Sequence, residues 1–178
     1  EQPNVLLELK TKSDCVDSLL DLDPKGRVVV GWSMNPQRVI DADEHATASL
    51  TERLNAARRV QDGGYRLGFH FDPMIEHKGW RESYRKTVEL LDKYIKPKRI
   101  AWISMGCLRF MPLLKPIIRK RHPGSCVLHG EFIMGMDGKM RYFKPVRIEM
   151  YRFMRELLSE WHRGAGLYLC MESGDVWE

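Results

Sequence analysis

Four apolar runs, each closed by polar residues and each followed by turn or helix-patterned sequence, constrain this chain more than any other feature. They are Val5–Lys12, Arg27–Pro36, Tyr65–Pro73 and Ile100–Arg109. Pro73 removes a ladder donor and pushes Asp72 into an extended conformation, so the third run is expected to stop there and hold His70 and Asp72 at its C-terminal mouth. Between the runs lie helical patterns. Ser49-x-x-Glu52 reads as a capping box ahead of Leu50, Leu54, Ala57 and Val60, with Gly63-Gly64 as the stop. Trp80–Tyr94 repeats the period with Tyr84, Val88, Leu91 and Ile95 on one side. Strands alternating with helices specify parallel βα units, and near-continuous apolar strands specify a sheet covered on both faces. Parallel strands share a direction, so Lys12 and Ser13, Ser33 and Asn35, His70 and Asp72, and Ser104 and Arg109 are expected along one edge, in one cleft.

The remaining segments are less regular. A short element is expected around Val16–Leu20 and a loop of mixed charge at Asp41, Asp43, Glu44 and His45. After Arg109 the pattern predicts a basic helical piece over Met111–Arg121 interrupted by Pro116 and a hairpin of Val127–Ile133 with Lys139–Phe143. A long helix follows, opened by Pro145 with the stripe Val146, Met150, Phe153, Leu157, Leu158 and Trp161, then a last short strand over Leu167–Met171. The division expected is a parallel (β/α) unit over residues 1–110 and a C-terminal extension over 111–178 packed on it.

The chain has 178 residues, 43% of them hydrophobic and 30% charged, as expected of a globular domain with one core. No apolar run approaches the roughly 18–20 residues that cross a bilayer, so a soluble, cytoplasmic protein without a membrane partner is expected. Cys15, Cys107, Cys126 and Cys170 form no Cys-x-x-Cys pair, which favours reduced thiols over disulfides or zinc. The net charge is +5, concentrated in the second half: Lys96–Arg147 carries 12 basic residues against Glu131 and Asp137. Such a run suits a polyanion, and nucleic acid is the first candidate, with a solvated basic face as the plain alternative. A non-enzymatic nucleic-acid-binding module built on residues 96–147 is therefore one functional class. A second is a metal-dependent barrel hydrolase using His70 and Asp72, although the other strand ends offer Ser, Asn and Lys rather than further ligands, so no metal site is assigned. Met134, Met136, Met140, Met150 and Met154 read as packing residues. No Gly-x-x-x-x-Gly-Lys-Ser/Thr or Gly-x-Gly-x-x-Gly loop is present.

Five ordered segments carry a family resemblance: Trp32-Ser33-Met34-Asn35; Glu52-Arg53-Leu54-x-Ala56; Gly64-Tyr65-x-Leu67-Gly68-Phe69-x-Phe71-Asp72-Pro73; Gly79-Trp80-x-x-x-Tyr84; and Leu108-Arg109-Phe110. Asp137-Gly138-Lys139-x-Arg141-Tyr142 and Tyr168-x-Cys170-Met171-Glu172 add to them. Together they resemble spore photoproduct lyase and its wider family of radical S-adenosylmethionine proteins. The resemblance implies an α/β fold that is a partial TIM-type (β/α) barrel, of which this chain would carry parallel strands three to six, with a C-terminal hairpin and helix. It implies S-adenosylmethionine and a 4Fe–4S cluster as cofactors, a 5′-deoxyadenosyl radical, and repair of a thymine-dimer-type lesion in DNA. By the same resemblance Lys12, Ser33, Asn35 and Asp72 fall at cofactor positions, and His70, Arg109, Lys115, Arg119 and Arg141 are candidates for substrate or DNA. The family's cluster motif C-x3-C-x2-C does not occur in the chain, and Asp72 stands where spore photoproduct lyase has an apolar residue. The expectation that follows is the C-terminal part of a longer enzyme, inactive by itself, whose exposed sheet edge or open face pairs with a second copy.

Overall fold

A computed structural model describes residues 4–164 and 166–177. The elements run, in order, β1 (Leu7–Thr11), α1 (Asp17–Leu20), β2 (Val28–Ser33), α2 (Gln37–Asp43), α3 (Leu50–Asp62), β3 (Arg66–Met74), α4 (Trp80–Tyr94), β4 (Ile100–Cys107), β5 (Arg109–Phe110), α5 (Leu114–Arg121), β6 (Phe132–Met134), β7 (Met140–Tyr142), α6 (Lys144–Trp161), β8 (Leu167–Leu169) and α7 (Gly174–Trp177). The main sheet has five strands in the order β1-β2-β3-β4-β8, and every neighbouring pair is parallel. Parallel strands in chain order with a helix after each are the geometry of a partial barrel. The small second sheet, β5-β7-β6, is antiparallel.

Side chains alternate across a strand, and here the alternation separates a packed outer face from a polar inner one. Val30, Trp32, Leu67, Phe69, Phe71 and Ile103 lie in one buried cluster with Leu54, Ala57 and Val60 of α3, Tyr84, Val88 and Leu91 of α4, and Met150, Met154 and Leu158 of α6. The other parity brings Glu8, Gly31, Gly68 and His70 together: a Cβ on Gly31 would stand 2.6 Å from Glu8 Oε1 and 2.9 Å from His70 Nε2. Helix α3 starts where expected because Ser49 and Glu52 complete a reciprocal capping box.

Several local expectations need correction. β3 does not end at Pro73 but runs to Met74, because its pairing with β4 shifts register between Phe71 and Met74 and the residue without an N–H falls in that irregularity. The Asp72–Pro73 peptide is cis. A helix, α2, occupies Gln37–Asp43; it buries only Val39 and Ile40, too few apolar positions to show a period. The hairpin strands are three residues each, and Val127–Glu131 lie outside them. Pro116 sits in the first turn of α5, where a missing N–H costs little, so it interrupts nothing. Met150 and Met154 are buried, whereas Met134 and Met136 on the hairpin are exposed.

Candidate active-site cleft

At the C-terminal ends of β1 and β2 one carboxylate gathers three partners. Glu44, which caps α2, accepts from Asn35 Nδ2 at 2.8 Å, pairs with Lys12 Nζ at 2.8 Å and pairs with the guanidinium of Arg53 at 2.6 Å. Arg53 is wholly buried and also donates to Ala48 O, Ser33 O and Thr47 Oγ1. A buried guanidinium needs such saturation, since an unpaired charge in a low-dielectric interior is expensive. Burial works to raise the Glu44 pKa, but the hydrogen bonds from Lys12, Asn35 and Arg53 outweigh it and hold the carboxyl below its ordinary range. The Tyr84 hydroxyl accepts from Ile75 N–H and donates to Asn35 Oδ1 at 3.0 Å, so both ends of the Asn35 amide are held. Lys12, Asn35 and the backbone of Ser33 are thus drawn into one network, and Lys12 borders a cleft of about 530 Å³ with Thr11, Ser13, Asp14 and Ala46–Ala48.

Glu44, Arg53 and Tyr84 escaped the sequence reading as site residues. Arg53 had left a signal: it shares the apolar face of α3 with Leu50, Leu54 and Ala57, and a cation in such a stripe requires a buried anion.

On β3, Asp72 accepts from the two terminal guanidinium nitrogens of Arg109, at 2.9 and 3.2 Å. Burial pushes the Asp72 pKa up, and the bonds from Arg109 and Cys170 more than reverse it. Asp72, Pro73, Arg109, Phe110, Met111, Leu114 and Lys139 line a cleft of about 440 Å³ between the main sheet, the small sheet and the start of α5. His70 lies mid-strand rather than at the mouth and is 3% exposed. Its Nε2 meets Glu8 Oε1 at 2.6 Å and its Nδ1 meets Ser104 Oγ at 2.7 Å, so neither ring nitrogen faces the cleft. Desolvation lowers the His70 pKa in spite of Glu8, which leaves the imidazole neutral near pH 7. With both nitrogens engaged it offers no lone pair to a cation, and no group of three or more His, Cys, Asp or Glu side chains among the described residues could hold one.

The basic candidates divide. Lys115 and Arg119 sit on α5, which buries none of its residues. Arg141 is instead tied to Asp137 at 2.6 Å and to Met171 O at 3.0 Å, beside Glu172. Glu172, with a side chain 1% exposed, accepts from Tyr151 and Arg147 and anchors the C-terminal segment to α6. The Cys107 thiol is buried and pushed up to about 12 by desolvation, while Cys15 and Cys126 are exposed.

A family model described as spore photoproduct lyase matches residues 1–157. The chain belongs to the spore photoproduct lyase family. It is 33% identical over 119 residues to the spore photoproduct lyase of a Geobacillus species and 35% identical over 119 residues to that of Bacillus subtilis, in each case covering 66% of this chain and 35% of the relative. With the Clostridium acetobutylicum enzyme it shares 32% over 134 residues, or 75% of this chain and 38% of the relative. The structure of spore photoproduct lyase complexed with dinucleoside spore photoproduct superposes with a TM-score of 0.82 at 29% identity, covering 93% of this chain and 51% of that one. A mutant with bound AdoMet and dinucleoside spore photoproduct gives a TM-score of 0.82 at 28% identity with the same coverage. The chain therefore spans about a third of the curated family members and about half of the solved ones. No helix among the described residues is long and apolar enough to cross a membrane.

Proposed function

We propose that this chain is the C-terminal part of a radical S-adenosylmethionine lyase of the cytoplasm that restores thymines from a dimer-type photoproduct in DNA. One observation carries the reading: 93% of the chain superposes on a lyase whose structure holds AdoMet and the dinucleoside lesion. Lys12, Ser33, Asn35 and Asp72 suit the adenosylated cofactor by chemistry. The Lys12 side chain, 35% exposed and bordering the first cleft, suits a carboxylate, and Glu44 pre-orients both Lys12 and Asn35. When bound, the cofactor supplies the radical chemistry. The protein's share is to bind, orient and exclude water. The cysteines do not fit the cluster: Cys107 is buried, Cys15 and Cys126 are exposed on separate segments, and no C-x3-C-x2-C occurs, so the ligands belong to another segment.

Arg109 anchors Asp72 at the second cleft, and the unburied helix α5, whose first residue Leu114 borders that cleft, supports a role for its cations Lys115 and Arg119 at DNA phosphates. Edge strand β1, with Leu7 and Leu9 exposed, favours pairing with a second copy or with further barrel strands. The test is repair. The chain joined to a cluster-binding segment should convert photoproduct DNA to thymine, and Lys12→Ala and Ser33→Ala should weaken AdoMet binding. Full activity of the 178-residue chain alone, or repair unaffected by both substitutions, would defeat the reading.

A further inference from the structure

A turn at the end of α2 joins the first cleft to the basic segment around α5. Asp43 is the last residue of α2, and its carboxylate accepts from Ser125 Oγ at 2.5 Å. Glu44, next in the chain, holds Lys12, Asn35 and Arg53. His45 stacks on His122, with ring centroids 5.8 Å apart and planes 26° from parallel. Ala46 then takes φ +55°, a left-handed conformation disfavoured for any residue with a Cβ, and it lines the cleft together with Lys12. Such strain persists where the surroundings over-determine it. On the cleft side Thr47 Oγ1 donates to Glu44 O at 2.8 Å. On the far side the clamp is Ser125 and His122, which belong to one turn because Ser125 N–H donates to His122 O at 3.0 Å.

His122 caps the C-terminal end of α5, a helix that buries none of its side chains and carries Lys115, Arg119, Lys120 and Arg121. Like charges this close along one helix repel one another, and phosphate relieves that repulsion. A helix with no buried side chain has little packing of its own to order it. DNA on α5 therefore favours the ordered segment, and the ordered segment holds the turn that presents Glu44 to Lys12 and Asn35.

We propose that Ser125 and His122 are positioning residues for the cofactor cleft, and that through them DNA on α5 and AdoMet beside Lys12 strengthen each other's binding. This rests on the reading of the first cleft as the AdoMet site and of α5 as a DNA surface. Neither residue lines that cleft. Each acts through Asp43 or His45, and so through Glu44, on Lys12 and Asn35. Linkage makes the effect reciprocal: the gain in AdoMet affinity on adding DNA equals the gain in DNA affinity on adding AdoMet.

The test is a binding cycle on the chain joined to a cluster-binding segment, measured by calorimetry with AdoMet and a lesion-free DNA duplex. For wild type the duplex should tighten AdoMet binding about 5-fold, the lower end of couplings between linked sites. Ser125→Ala with His122→Ala should weaken AdoMet about 5-fold without DNA, within the worth of one hydrogen bond, and should lose the gain on adding duplex. Ser125→Thr keeps the donor and should behave as wild type. Hydrogen exchange reads the turn without the cofactor: amides of residues 44–48 should exchange faster in the double variant while those of β2 keep their protection. Affinity and exchange both as in wild type would overturn the positioning role, and AdoMet affinity indifferent to bound duplex would overturn the coupling. If Lys12→Ala weakens AdoMet while the double variant does not, the clamp falls and the cofactor reading stands. Wild type that binds no AdoMet defeats both, and wild type that binds no duplex defeats the DNA reading and the coupling with it.

Discussion

Removing Glu44 should expose how much of this fold depends on a single buried charge pair. Glu44 is the anionic partner of Arg53, whose side chain is fully buried, and it also holds Lys12 and Asn35. Truncating one member of such a pair typically costs about 3–5 kcal/mol, because the other charge is left uncompensated. Arg53 retains Ala48 O and Ser33 O at 2.9 Å and Thr47 Oγ1 at 2.8 Å, so the lower end, about 3 kcal/mol, is expected for Glu44→Ala. Glu44→Gln keeps the volume and an acceptor and should cost about 1–2 kcal/mol. In a domain of this size about 3 kcal/mol corresponds to a fall in Tm of roughly 6–12 °C. Urea unfolding followed by far-UV circular dichroism should show a lower midpoint with an unchanged m-value. The pH dependence has a fixed sign. Glu44 has a folded pKa below its ordinary 4.5, so its stabilisation is complete above pH 4.5 and disappears as pH falls through the folded value. The gap between wild type and Glu44→Ala should therefore close in acid. A Glu44→Ala protein within about 0.5 kcal/mol of wild type at pH 7, the scatter of ordinary surface substitutions, would refute the account of Arg53 as a charge that needs its partner.

Three further outcomes are expected. Asp72→Asn should lose about 1–3 kcal/mol at pH 7 from its paired bonds with Arg109, and because the Asp72 pKa is depressed below 3.8 the difference should vanish as pH falls through that lowered value, read from Tm against pH. Lys115→Ala with Arg119→Ala should weaken DNA binding and reduce the slope of log affinity against log salt by about 2 with Tm unchanged, whereas Arg141→Ala should lower Tm because it unties the hairpin from Met171 and Glu172. Gly31→Ala should displace Glu8 from His70, since the new Cβ would lie 2.6 Å from Glu8 Oε1, and the His70 ring resonances should move while the circular dichroism spectrum stays as in wild type.

The sequence alone determined the four main strands, the helices α3, α4 and α6, and that the strands run parallel. Hydrophobic period, capping and turn residues are local properties: the Ser49–Glu52 box, the stripe of α4 and the apolar run of β4 each state their own conformation within a few residues. It also brought Lys12, Ser33, Asn35 and Asp72 to one edge, because parallel strands of like pattern end on the same side. Only the tertiary structure decided what those residues touch. Glu44 meets Lys12, Asn35 and Arg53 because α2 folds where too few apolar residues announce a helix, and His70 finds a carboxylate 62 residues away only because Gly31 clears the path across β2. Polar partners are set by register, by a bulge near Pro73 and by space left at glycines, none of which has a periodic trace along the chain. Periodicity records which side of an element is buried; the identity of a hydrogen-bond partner depends on where distant elements come to rest.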